Sequence, residues 1–353
     1  MDKDSLLNLY KQMLLTRAFE DKSAEMYAAG KIDGFLHLYN GQEAIAAGVI
    51  SALNPDDDLF THYRDHGYAL MRGIDPGTVM AELYGRAGGT AGGRGGSMHL
   101  HDVSRHYWGG YAVVGGHLPM AVGMAYASQY QKTGRISLCV MGDGSTNIGT
   151  FHAALNWAQV WKCPIVFLVE NNQFAMGTPI LSHSPSADIA RKADGYGMAK
   201  EIVEDGADVM AVREAVCRAA DHARNGQGPY FLEVKTYRYR GHSQRDPDVQ
   251  RSKAEVAEAK NNDPIMRFAE VLVGGKKATQ ADFDRIEAEV NTVVEAAVEF
   301  AENSPGPNMT PCGNTSTPIR WPICKSVAHL FAQRLQRTER TSSVLSLVCL
   351  TKH

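Results

Sequence analysis

Apolar positions recur every three to four residues over residues 4–29, where Leu7, Tyr10, Met13, Leu14 and Ala18 share a face and Gly30 supplies a stop, so the chain opens with a helix. Further helices fit residues 42–53, ended by "NPDDD", and 76–86, with proline in the first turn. From Leu118 the pattern alternates. Helices over 118–132, 149–161, 186–194 and 208–225 interleave with strands over 136–141, 164–170, 198–203 and 230–237. Strands separated by helices of this length predict a central, mostly parallel sheet with helices on both faces, an α/β fold. "ISLCVM" and "PIVFLVE" are apolar throughout, as strands buried on both sides are. Helical periodicity resumes over 252–260, 264–273 and 279–303.

Two stretches break the pattern. "GRAGGTAGGRGGSMHLHD" places seven glycines between Gly85 and Gly96, with Arg86, Arg94, Ser97 and His99 among them. The run reads as a flexible linker or, because its N–H groups stand free beside cations, as a cradle for an anionic ligand. After Pro305 a single acidic residue, Glu339, faces six Lys or Arg, and three of the six cysteines lie there with four prolines. The expected organisation is one folded domain over 1–305 and an atypical, poorly ordered tail over 306–353.

Composition narrows the function classes. At 353 residues the chain can bury a large core. A net charge of -3 without a basic stripe speaks against nucleic acid as a partner. No apolar run approaches the roughly 20 residues that cross a bilayer, and "MDKDSLLNLYKQMLL" has the marks of neither a signal nor a transit peptide. Cys139, Cys163, Cys217, Cys312, Cys324 and Cys349 form no Cys-x-x-Cys pair and no zinc spacing, which suits a reducing, cytoplasmic setting.

Ligands of parallel sheets bind outside the carboxyl ends of the strands. Two consecutive predicted strands end there in Gly142-Asp143-Gly144 and Asn171-Asn172, with 26 residues between Gly144 and Asn171. That interval holds one helix and one returning strand. A carboxylate from Asp143, an amide oxygen from Asn172 and a main-chain carbonyl just beyond make half of an octahedral Mg²⁺ site, leaving the rest to water and phosphate. The glycines let a diphosphate approach, and the helix from about Gly149 turns its positive N-terminus toward it. Taken singly, each segment is also an ordinary turn; the pairing at this spacing carries the metal reading. Other motifs fail. In "GGSMH" His99 replaces the last glycine of a nucleophile elbow, and His99 with His101 lacks a third metal ligand.

The stretches "GFLHLYNGQEA", "YRDHG", "GGRGGSMH", "GDGSTNIGTFHAALNWAQVWKCPIVFLVENNQFAMGT" and "TYRYRGHS" resemble those of thiamine-diphosphate enzymes. More closely, residues 5–305 resemble the α subunit of the decarboxylating first component of 2-oxo acid dehydrogenase complexes, with the pyruvate-specific branch nearest. The resemblance implies a thiamine-diphosphate-binding fold and roles for matching positions. Asp143, Asn172 and the carbonyl of Phe174 would bind Mg²⁺. Tyr63 and Arg64 would hold the diphosphate, Gly144 and Ser145 would line the cofactor, and Ala112 and Val114 would lie near its pyrimidine ring. His242, on a loop over the centre, and His37, on the substrate side, would be catalytic, with His66 a further candidate.

Thiamine diphosphate would supply the carbanion that attacks the 2-oxo carbon and the electron sink as carbon dioxide leaves. The glutamate that activates it would come from a separate β subunit, in an assembly of two α and two β chains, so this chain alone should be inactive. A lipoyl-bearing acyltransferase would accept the acetyl group. Relatives commonly carry Asn-Gly where this chain has Tyr111-Ala112, and Ser243 matches a position modified by kinases in animal relatives but reads here as an ordinary loop serine. Acetoin or branched-chain 2-oxo acids are alternative substrates, and a non-catalytic assembly subunit is the alternative of another class.

Overall fold

The computed structural model describes residues 1–307. The tail expected over 306–353 lies outside the described residues except for Gly306 and Pro307.

Helices α1 (Lys3–Ala28) and α2 (Glu43–Ala52), strand β1 (Asp58–His62) and helices α3 (His66–Met71) and α4 (Pro76–Leu83) come first. The glycine-rich segment leads to β2 (Tyr107–Tyr111), then α5 (Leu118–Gln131), β3 (Ser137–Gly142), α6 (Gly149–Trp161) and β4 (Ile165–Asn171). A hairpin of β5 (Phe174–Ala175) and β6 (Thr178–Pro179) and the short α7 (Ile180–His183) follow. Then come β7 (Ala199–Val203), α8 (Val209–Arg224), β8 (Tyr230–Lys235), α9 (Lys253–Lys260), α10 (Pro264–Gly274) and α11 (Gln280–Asn303). The caps are written in the sequence. Asp75 before Pro76, Asp208, Asp263 before Pro264, and the Thr279/Asp282 capping box each accept or exchange hydrogen bonds with first-turn N–H groups. The helix expected over 186–194 is instead a 3₁₀ stretch, Ile189–Tyr196. Its Ala190 N–H is taken by the buried Glu233 carboxylate at 2.6 Å, which competes with regular helical bonding.

Six strands pair in the order β2-β1-β3-β4-β8-β7, every pairing parallel. Side chains alternate between two cores. Leu138, Val140, Val166 and Leu168 join the core shared with α1, α2, α8 and α11, whereas Cys139, Met141, Phe167 and Val169 join the core under α5 and α6. A sheet covered on both faces leaves its strand ends as the place where polar groups meet a cavity. β1 and β2, absent from the pattern-based expectation, complete that edge beside β3.

The glycine-rich segment is organised by the chain's own anion. Glu82, at the end of α4 and fully buried, accepts the main-chain N–H groups of Ala91 (2.8 Å), Gly93 (3.0 Å), Gly95 (2.7 Å) and Gly96 (3.0 Å). A Cβ on Gly89 would stand 2.3 Å from a Glu82 carboxylate oxygen, so the segment needs glycine to wrap this closely. This corrects both readings of the stretch: its amides do cradle a carboxylate, but an internal one rather than a ligand's. Glu82→Ala leaves four half-buried main-chain donors without their acceptor. It should cost about 3–5 kcal/mol, read as a lowered thermal midpoint with new protease cleavage within 85–97. An unchanged midpoint and cleavage pattern would contradict the assignment.

Candidate active site

A cavity of about 780 Å³ lies at the carboxyl ends of the central strands. β1 runs into Tyr63 and Arg64, β2 into Ala112 and Val114, β3 into Asp143, Gly144 and Ser145, and β4 into Asn172 and Phe174. The segment after β8 adds Arg238 and His242, and the segment after α1 adds His37. Every residue expected at the site lines this cavity except His66.

One side of the cavity calls for an anion. Arg64 and Arg238 are each 2% exposed, and both spend their hydrogen bonds on main-chain carbonyls. Arg64 donates to Leu38 (2.6 Å) and His242 (2.7 Å), and Arg238 to Arg240 (2.9 Å) and Met176 (3.3 Å). Burial pushes both guanidinium groups below their usual range, Arg238 to about 9, with the charges of Arg64 and Arg251 adding to the effect on Arg238. Buried cations paired only with dipoles gain most from an anionic ligand. Beside them, the rings of His37 and Tyr63 lie 4.6 Å apart, and His37 meets His242 edge-on at 5.0 Å. Burial, then Arg64, lowers His37 to about 2 and His242 to about 4, so both imidazoles are neutral near pH 7. The Nδ1 atom of His37 is buried with no hydrogen-bond partner among the described residues.

The other side offers oxygens. Asp143 is 2% exposed, and burial raises its carboxyl above the ordinary range although His183, at 3.1 Å, pulls it down. Asn172 Nδ2 donates to Gln42 Oε1 at 3.0 Å, and Asn172 Oδ1 accepts the Phe174 N–H at 3.3 Å. The turn is tight enough that Gln173 and Met176 take left-handed φ values of 70° and 59°. Gly142 lines the cavity, and a Cβ there would meet nothing within 4 Å, so the glycine leaves room at the strand end. Carboxylate, amide and main-chain oxygens form a hard donor set suited to Mg²⁺, and the anionic demand opposite suits phosphate. The residues fit a diphosphate with its cation.

Residues 10–310 match the dehydrogenase E1 component family. The chain belongs to that family. A protein of Rickettsia bellii named pyruvate dehydrogenase E1 component subunit alpha is 41% identical over 306 residues, covering 87% of this chain and 94% of that one. Proteins of the same name from Porphyra purpurea (43% over 317 residues, 88% and 92%) and Rhizobium meliloti (41% over 309 residues, 87% and 88%) align over similar spans. E1 components of this family depend on thiamine diphosphate.

In this E1 chain His66 stands apart from the cavity. It is fully buried, with Nδ1 2.8 Å from Glu20 and Nε2 2.8 Å from Ser97. Both ring nitrogens are engaged, so it braces α1 against the glycine-rich segment instead of meeting a ligand. The N-terminus of α6 is not at the cavity either: the 3₁₀ turn Asp143–Asn147 intervenes and supplies the lining residues. Ser243 lines the cavity, and its carbonyl accepts the Asp246 N–H at 3.0 Å. His99 and His101 do not line it, and among the described residues no group of three or more His, Cys, Asp or Glu is arranged to hold a metal. Sequence reasoning passed over Arg238, although "TYRYRGHS" contains it, and over His62 and Glu170, whose signal is their place at strand ends beside Tyr63 and Asn171.

The neutral histidines set a pH dependence. Unfolded, each imidazole binds a proton near pH 6.5; folded, His242 resists to about 4 and His37 to about 2. The unfolded state therefore binds more protons below pH 6.5, and stability rises with pH through that window. The thermal midpoint of the cofactor-free chain should fall from pH 7 to pH 5, and the double variant His37→Gln/His242→Gln should fall less. Equal slopes would show that these rings are not held neutral.

Proposed function

We propose that this chain is the α subunit of a pyruvate dehydrogenase (acetyl-transferring), which decarboxylates pyruvate oxidatively with thiamine diphosphate and Mg²⁺ and passes the acetyl group to a lipoyl domain. The observation that carries this reading is the meeting, in one cavity, of two buried guanidinium groups with the oxygen half-site of Asp143 and Asn172. The relatives named pyruvate dehydrogenase E1 component subunit alpha favour pyruvate over acetoin or branched-chain 2-oxo acids. The intact constellation favours a catalytic chain over an assembly subunit.

Bound thiamine diphosphate supplies the carbanion and the electron sink that decarboxylation requires. This chain's residues do the rest of the positioning. Arg64, Tyr63 and Arg238 hold the diphosphate. Asp143, Asn172 and the carbonyl of Phe174 hold Mg²⁺, with Gly144 and Ser145 along the cofactor and Ala112 and Val114 at its pyrimidine end. His37 and His242, as neutral imidazoles, would give an N–H to the oxygen that becomes negatively charged and to the lipoyl sulfur released as thiolate when the S–S bond breaks and the other sulfur takes the acetyl group. Low pKa values suit this role, because a neutral donor stabilises an oxyanion without protonating the substrate prematurely.

The β subunit completes the site, in an assembly of two α and two β chains, and a lipoyl-bearing acyltransferase is the acceptor. The surface supports a large protein partner. Val113 and Val114 are exposed at the cavity edge, and Met120, Tyr126, Tyr130, Trp157, Val160 and Trp161 continue an exposed apolar face along α5 and α6. Tyr126 and Trp161 pack at 5.2 Å across that face. Such patches mark protein contacts. Among the described residues no helix is long and apolar enough to cross a membrane.

Pyruvate-dependent reduction of a dye acceptor, with thiamine diphosphate and Mg²⁺ present, should appear when this chain is combined with its β partner and not with either alone. Turnover only with acetoin or branched-chain 2-oxo acids would overturn the pyruvate assignment, and none with any of them would favour the assembly role. In the active mixture His242→Ala should lower lipoyl acetylation about 10²- to 10⁴-fold; full activity would remove His242 from the chemistry. Arg64→Gln should weaken thiamine diphosphate by about 2–3 kcal/mol, roughly 30- to 150-fold, measured by titration; unchanged affinity would free Arg64 from the diphosphate.

A further inference from the structure

We infer that Gln42, Glu170 and His62 form a positioning relay that locks the cation side of the cavity to its anion side, an inference that rests on reading the cavity as a diphosphate and Mg²⁺ site. The relay is a continuous chain of hydrogen bonds. Asn172 Nδ2 donates to Gln42 Oε1 at 3.0 Å, and Gln42 Nε2 donates to Glu170 Oε2 at 3.2 Å. The same carboxylate oxygen lies 2.7 Å from His62 Nε2, and His62 Nδ1 lies 3.0 Å from the main-chain nitrogen of Arg64. The chain thus begins at a candidate metal ligand and ends at the residue that holds the diphosphate.

Every joint has one permitted direction. The Arg64 N–H can only donate, so His62 Nδ1 accepts and the ring hydrogen sits on Nε2, facing Glu170. The carboxylate accepts from His62 and from Gln42. That commits the Gln42 amide nitrogen and leaves its oxygen to accept from Asn172 Nδ2. The Asn172 oxygen then remains on the side of the Phe174 N–H, at 3.3 Å, as the amide atom available to a cation. Flipping either amide would set two donors or two acceptors face to face among buried groups, a costly arrangement.

The anchor is stiff. Gln42 is fully buried, and Glu170 and His62 are 1% and 7% exposed. The second oxygen of Glu170 accepts the hydroxyls of Tyr39 and Tyr68, the latter at 2.7 Å. Four donors thus converge on one carboxylate at the end of β4, fixing it against α2, α3 and β1. These groups act through Asn172 and Arg64, so they are positioning residues. Partners of this kind change metal affinity by about 10- to 100-fold when removed.

The test uses the assembled α and β chains and reads Mn²⁺ binding by electron paramagnetic resonance at saturating thiamine diphosphate, with the cofactor-free thermal midpoint measured alongside. Gln42→Leu should weaken Mn²⁺ about tenfold, and His62→Phe, remote from the metal, about three- to tenfold. The double variant should be no more than about twofold worse than the poorer single variant, since either change breaks the same chain. His62→Gln, which can still accept from Arg64 and donate to Glu170, should recover affinity to within about threefold of wild type. Should His62→Phe not assemble, His62→Met removes the same two bonds. Multiplicative losses in the double variant, wild-type Mn²⁺ affinity in His62→Phe, or no recovery in His62→Gln would overturn the relay while leaving the cavity's assignment intact. A wild-type assembly that bound no Mn²⁺ would instead overturn that assignment, and the relay with it.

Discussion

Two guanidinium groups buried in one cavity, whose hydrogen bonds among the described residues go to carbonyls and to no carboxylate, are the constraint from which the site follows. Removing Arg64 and Arg238 from water is expensive, and carbonyl dipoles offset only part of the cost. An anion with several oxygens would resolve the imbalance, and Asp143 and Asn172 across the cavity would offer oxygens to a divalent counter-ion of that anion. The same electrostatics explains why His37 and His242 stay neutral: a proton on either ring would add a third buried positive charge beside Arg64.

The sheet makes this concentration of charge possible. β1 lies between β2 and β3, so chain segments diverge at their carboxyl ends and leave a crevice there. Two apolar cores pack the strands from both faces, and the polar groups of the cavity lie at their carboxyl ends. Glu170 shows how such a group is tolerated, with hydroxyl, amide and imidazole donors all directed at one carboxylate. Glu82 shows the alternative, a carboxylate wrapped entirely by main-chain amides. One carboxylate shapes the cavity and the other shapes the segment behind it.

Much of the scaffold was legible in the sequence. β3, β4, α6, α8 and α11 followed from apolar runs and helical periodicity because their burial is uniform along a face or through a strand. β1 and β2 were not legible. Asp58, Thr61 and His62 make β1 read as polar, although all five of its residues are buried, and two glycines deprive β2 of a side-chain pattern. The spacing of Asp143 and Asn172 placed the oxygens correctly at one edge, since parallel topology brings strand ends together. Arg238 and the Gln42–Glu170–His62 set were missed because they depend on contacts between residues far apart in sequence. The glycine-rich segment was misread for the same reason: its amides suggested an anion, but only the fold shows that the anion is Glu82. His66 carried the right chemistry for a catalytic role, and only its burial between Glu20 and Ser97 removes it from the cavity.

The most direct test of the account is calorimetric titration of thiamine diphosphate into the assembled α and β chains, with and without Mg²⁺, for wild type and Asp143→Ala. The account predicts one site per α chain that is tight only with the divalent ion, and loss of that ion dependence in Asp143→Ala. Equally tight, Mg²⁺-dependent binding by the variant would contradict the claim that this cavity seats the diphosphate and its cation.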